Sequence, residues 1–101
     1  MDDKRTAKRV RLDHPVDLVI EGDAVRGTLV DLSSTGALFS FEGEARSEVD
    51  PSVLGLDGSF SIKPKDKPTR LYTGEMVRFY VRDEHSFVAL RFSSKYKEAA
   101  D

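Results

Sequence analysis

The chain has no cysteine, no tryptophan and no excess of positive charge. Without cysteine it can have neither a disulfide framework nor a thiolate metal site, and it has no cysteine nucleophile. A small domain that holds together without disulfides fits a reducing compartment. No apolar run is long enough to cross a bilayer. The basic amino-terminal residues are not followed by the apolar stretch of a signal peptide or anchor. These readings lead us to expect a cytoplasmic protein with no membrane association. The 16 Lys+Arg against 18 Asp+Glu leave a net charge of −2. A protein that grips long nucleic acid carries a clear positive excess, so that class is disfavoured. A GxSxG elbow, a phosphate-cradling P-loop and a ligand-spaced histidine pair are also missing. His14 and His85 are far apart and read as surface or turn residues. We therefore expect no metal site, no catalytic residues and no enzyme.

At 101 residues the chain is one domain with one modest core. Residues 1–13 form a polar, basic arm that carries Lys4, Arg5, Lys8, Arg9 and Arg11. Its few apolar residues cannot order it alone, so it is expected to be flexible. The domain proper is expected over 14–101. Val16, Leu18 and Ile20 alternate with polar neighbours as in a half-buried strand. Glu21–Ala24 is a hairpin turn and Val25–Leu32 its return strand. Ala37–Phe41 reads as a strand and Glu42–Pro51 as a polar loop. A further strand centres on Ser59–Lys63. The charged turn Lys63–Pro68 follows, then a long strand over Thr69–Val81 in which Gly74 is a candidate bulge. Phe87–Phe92 is the last strand, and Ser93 is placed to cap a short helix over Lys95–Ala100. Six short strands with little helix predict an all-β antiparallel barrel or sandwich. Leu29, Leu38, Phe39, Phe60, Val77, Phe79, Val88 and Phe92 are the candidate core.

Two constellations carry chemistry. Arg5-x-x-x-Arg9 offers two planar donor forks, each able to grip a phosphate, meet the O6/N7 edge of guanine or stack on a purine. Alone it reads as a solvated basic tail. Asp31-x-Ser33-x-x-Gly36 closes a strand. Its carboxylate only accepts hydrogen bonds and so suits the N1–H and N2–H₂ edge of guanine. Serine can support that edge or a phosphate, and glycine admits positive φ or a close neighbour. Alone it reads as an ordinary turn.

Together, in this order and across one hairpin, the two motifs resemble the PilZ domain family. That family carries RxxxR in an amino-terminal loop and [D/N]xSxxG on the barrel. Gly74–Val77 and Phe87–Phe92 look like the family's last two strands, and Ala89 stands where many members have glycine. The resemblance implies a six-stranded antiparallel β-barrel that binds cyclic di-GMP, a bacterial second messenger, and needs no cofactor beyond that ligand. By the family's pattern Arg5 and Arg9 hold phosphate and guanine, and Asp31 and Ser33 read a guanine edge. Gly36 keeps the turn clear. Lys8, Arg11 and Arg78 are additional candidates, Arg78 because some members place an aromatic ring near its position. The resemblance also implies that the arm closes over the ligand and that a downstream protein partner senses the change. A PilZ-like interaction module without nucleotide, a small barrel for single-stranded nucleic acid, and a hydrolase built on Asp31 and Ser33 are the alternatives. The retained arginines, the charge balance and the lack of a well-placed histidine argue against them in turn.

Overall fold

Alternating apolar residues bury one face of each strand, and a sheet with one apolar face gains most by closing on itself. The computed structural model describes residues 10–99. Seven strands follow in chain order: β1 (Val10–Ile20), β2 (Asp23–Leu32), β3 (Gly36–Phe41), β4 (Asp57–Ile62), β5 (Arg70–Arg82), β6 (His85–Phe92) and β7 (Lys97–Glu98). The sheet runs β4-β1-β2-β3-β6-β5-β7, and an additional β4–β5 pairing closes six of the strands into a barrel. Every pairing is antiparallel.

Two-residue turns set the register of the hairpins. Glu21 and Gly22 have φ of 51° and 92°, and Asp83 and Glu84 have φ of 51° and 64°. Left-handed conformation at both central residues matches the right-handed twist of the flanking strands. The expected alternation in β1 is present, with Val16, Leu18 and Ile20 at 5%, 0% and 8% exposure. The interior is filled by Leu18, Leu29, Phe39, Phe41, Phe60, Met76, Val88 and Leu90. Phe60 lies edge-on to Phe39 and stacks on Tyr72, with both ring centroids 4.9 Å away.

Several expectations need correction. The carboxy-terminal segment is a strand, not a helix. β6 ends where Phe92 pairs with Gly74, which leaves the next stretch of β5 open on that side. Ser93 N–H donates to Thr73 O, Lys97 and Glu98 pair with Leu71 and Arg70, and Ala99 N–H donates to Thr69 O. An open ladder supplies backbone partners that a short helix, with its costly nucleus, would have to make for itself. Tyr96 anchors the segment by packing 5.2 Å from Tyr72. At the other end β1 begins at Val10, so residues 10–13, assigned above to the arm, belong to the barrel. The rest of the arm lies outside the described residues. Leu38 faces outward, since its neighbours Ala37 and Phe39 take the interior, and Val77 is 43% exposed. Phe79 and Phe92 pack against the core without being fully enclosed. The polar loop contains two 3₁₀ turns, Gly43–Glu48 and Pro51–Val53, and buries Val49 and Val53. The bulge expected at Gly74 is three residues further on. Gly74 itself lies so close to the Arg91 carbonyl that there is no room for a Cβ.

Candidate functional site

Asp31 is two residues after Leu29, so regular alternation would send both to the interior. The pairing of β2 with β3 prevents this. Leu29 lies opposite Phe39 and Asp31 opposite Leu38, so Val30 is an extra residue with no partner across the ladder. This β-bulge shifts the phase of the strand by one, and Asp31 emerges on the outer face beside Leu38. β5 repeats the device. Met76 pairs with Leu90 and Arg78 with Ala89, so Val77 is the extra residue and Arg78 turns outward. The pairings then run in one row across five strands, Arg11–Asp31–Leu38–Ala89–Arg78. Three strand spacings put Asp31 about 14 Å from Arg78 along that row. Asp31 is only 9% exposed despite its outward position.

A groove of about 350 Å³ follows the row, lined by Asp31, Ser33, Gly36, Leu38, Arg78 and Tyr80 among others. The small side chain of Ala89 lies in its middle, between Leu38 and Arg78. Tyr80 is an aromatic that sequence reasoning missed. Its ring stacks on Phe87 at 4.9 Å with 7° between planes, and the Arg78 guanidinium lies 5.2 Å from its centroid. The periodicity of β5 gave no sign of this, because the bulge at Val77 reverses the phase just before Tyr80.

The turn after Asp31 is held by Ser33. Its Oγ accepts from the Thr35 and Gly36 amides, both at 3.2 Å, and its own N–H donates to Gly36 O at 2.9 Å. Both acceptor positions of the hydroxyl are engaged in the turn. The hydroxyl proton has Gly36 O and Thr35 Oγ1 within reach, each at 3.3 Å. Gly36 is not among the glycines with positive φ. It is needed because a Cβ there would sit 2.5 Å from the Leu90 carbonyl oxygen of β6. Gly36→Ala should push β3 from β6 at the edge of the groove and destabilise the fold by about 1–3 kcal/mol. Urea unfolding checks this, and a midpoint equal to the wild type would show that the strands give way without cost.

A second depression, of about 520 Å³, continues from the groove past Leu38 and Tyr80 to His85. His85 Nδ1 is 2.9 Å from the Asp83 carbonyl oxygen and Nε2 is 2.9 Å from Glu42 Oε1. Both partners are acceptors, so both ring nitrogens donate only when the imidazole is protonated. The Asp83 carbonyl, then the Glu42 carboxylate, raise the His85 pKa above its ordinary 6.5. The folded state therefore holds this proton more tightly than the unfolded chain. The stabilisation is present below about pH 6.5 and is lost as pH rises through the raised value. In an NMR titration the His85 midpoint should exceed 6.5 and move down in Glu42→Gln. A wild-type midpoint at or below 6.5 would remove the ion pair.

Of the residues expected from sequence, Asp31, Ser33, Gly36 and Arg78 come together at the groove, and Arg11 pairs with Asp31 through the backbone. Arg5, Lys8 and Arg9 lie outside the described residues. Among the described residues no group of histidine, cysteine or carboxylate side chains could hold a metal, and no helix is long and apolar enough to cross a membrane.

No curated protein sequence matches the chain. Among solved structures it resembles that of the Bacillus subtilis inhibitor of motility (MotI/DgrA), with a TM-score of 0.66 at 14% identity. The match covers 93% of this chain and 44% of that one, so this chain spans less than half the length of that protein. The likeness is one of fold. The PilZ domain model matches residues 3–100, nearly the whole chain, and the closed six-stranded barrel agrees with it. The chain belongs to the PilZ domain family.

Proposed function

We propose that the domain is a cytoplasmic receptor for cyclic di-GMP that works by binding and not by catalysis. The observation that carries this reading is the double bulge. Val30 and Val77 each interrupt a strand, and the result is that Asp31 and Arg78 share one outward row beside an open groove. Bulges re-aim side chains at functional positions. A carboxylate at one end of the groove suits a guanine edge, and a guanidinium at the other suits a phosphate or a purine face. Tyr80 adds an aromatic surface beside Arg78.

The entry of the chain supports the same reading. Val10 pairs with Leu32 and Arg11 with Asp31, so the RxxxR segment joins the barrel at the strand position beside the motif carboxylate. Arg5 and Arg9 then reach the ligand's phosphates and guanine from the arm, with Lys8 and Arg11 adding positive charge. Ordering an arm costs about 1–2 kcal/mol per residue in backbone entropy. Charge-assisted hydrogen bonds from two arginines and burial of the purines offset that cost. The arm's closure gives a surface that a protein partner can sense.

Calorimetric titration with cyclic di-GMP tests the reading on the wild type and on Arg9→Ala. Saturable heat with a defined ligand count is expected for the wild type, with an affinity at least about tenfold weaker for the variant, since a hydrogen bond to a charged group contributes roughly 1.5–3 kcal/mol. Absence of heat from the wild type would favour a PilZ-like interaction module without nucleotide.

A further inference from the structure

Beyond Met76, β5 has a backbone partner on one side only. Its ladder with β4 ends at Glu75, and the last bonds on that side are Gly55 N–H to Met76 O and Met76 N–H to Leu56 O. From Arg78 to Arg82, after the bulged Val77, the strand pairs with β6, and among the described residues no strand pairs with its other side. This stretch presents a row of amides and carbonyls over about 20 Å. An open edge of this kind is a template for another strand.

The side chains along the edge define what would fit. Arg78, Tyr80 and Arg82 lie opposite Ala89, Phe87 and His85 on the outer face. Phe79 and Val81 lie opposite buried Val88 and Ser86, on the inner side. Val81 is nonetheless 52% exposed and Val77 is 43% exposed. An added strand would therefore meet two guanidinium groups on one face and uncovered aliphatic surface on the other.

We propose that the Val77–Arg82 edge docks an extended acidic segment of a partner protein, which joins the sheet as a further strand. Its carboxylates would lie on the outer face beside Arg78 and Arg82, and its aliphatic side chains on the inner side beside Phe79 and Val81. Opposite charges on neighbouring strands favour the pairing, and like charges oppose it. A second copy of this chain fits badly. Two-fold antiparallel pairing of the edge with itself about Tyr80 would set Arg78 opposite Arg82 on the outer face, like charge against like, with no carboxylate opposite either arginine. Asp83 and Glu84 cannot supply one, because φ of 51° and 64° commits them to the turn. The bulge at Val77 and the two arginines thus oppose self-association and favour an acidic strand. The edge shares Arg78 with the groove, so the test is made without nucleotide, and the inference does not require that the groove take one.

The test uses the full chain, isotopically labelled and free of nucleotide, titrated with capped heptapeptides that alternate valine with glutamate or valine with lysine. The valine–glutamate peptide should shift the amide resonances of Val77–Arg82 and slow exchange of those that face the edge by at least about tenfold at saturation. The valine–lysine peptide should not bind. Methylating alternate backbone amides of the acidic peptide should weaken binding at least about tenfold, because it blocks the ladder and leaves the side chains in place. In Arg82→Glu the preference should move toward the lysine peptide, with resonances outside β5 and β6 unchanged. The proposal is overturned by equal binding of the methylated peptide, by shifts at Leu38 and Ala89 in place of the edge, or by no protection with any peptide. Slowed exchange of the edge in peptide-free protein, with sedimentation as a dimer, would replace the acidic partner with a second copy. Failure here leaves the cyclic di-GMP isotherm untouched, so the two readings fall separately.

Discussion

Asp31→Ala is expected to weaken cyclic di-GMP binding by about 100-fold, roughly 2.7 kcal/mol, in a calorimetric titration. A carboxylate that accepts two hydrogen bonds from a guanine edge makes charge-assisted contacts, and bonds to charged groups contribute about 1.5–3 kcal/mol each. Alanine removes both acceptors and leaves the guanine donors without partners. The full sum is not expected, because water re-enters an open groove and solvates part of that edge. Arg26→Ala provides the control. Its side chain is 65% exposed in an ion pair with Asp17 on the hairpin, away from the groove, and its affinity should match the wild type within about twofold. Thermal unfolding of the Asp31 variant separates lost contact from lost fold. A folded Asp31→Ala protein with wild-type affinity would remove Asp31 from the site.

Phe60→Ala should lower the unfolding free energy by about 3–5 kcal/mol. Phe60 is 2% exposed and touches Phe39, Tyr72 and Phe92, with centroids 4.9, 4.9 and 6.2 Å away. Its loss opens a cavity bordered by rings on β3, β5 and β6. Those rings sit on paired strands and cannot collapse far into the space. A domain of this size has about 5–15 kcal/mol in total, so the variant is expected to be marginal at 37 °C. The melting temperature should fall by about 12–40 °C, at roughly 4–8 °C per kcal/mol. Leu71→Ala, at a position 39% exposed, should stay near the wild type. A drop of only a few degrees in Phe60→Ala would show that the aromatic cluster repacks.

Much of the barrel was legible from residue order because strands announce themselves with a period of two and turns with glycine and paired polar residues. Val16, Leu18 and Ile20 could be placed inside without any knowledge of their partners. The charged turn Lys63–Pro68 lies, as expected, between two strands, β4 and β5. Leu38 and Val77 failed because both are apolar, and hydrophobicity alone does not say which face of a sheet a residue takes. The carboxy-terminal helix failed because its competitor, an open ladder on β5, is made by residues about 25 positions earlier in the chain.

By itself the sequence determined the family, the six barrel strands and the order of the two motifs, since these rest on local pattern and on residue identity at fixed spacing. The tertiary structure decided where the functional side chains point. Leu29 and Asp31 have the parity of one face, and only the pairing of β2 with β3 shows that Val30 is left out of the count and Asp31 turns outward. Val77 does the same for Arg78. The reason Gly36 must be glycine is likewise not local, because the atom that excludes a side chain there is the Leu90 carbonyl, which reaches it only when β3 and β6 come together. A bulge is a mismatch between two strands, so it exists only once both are paired.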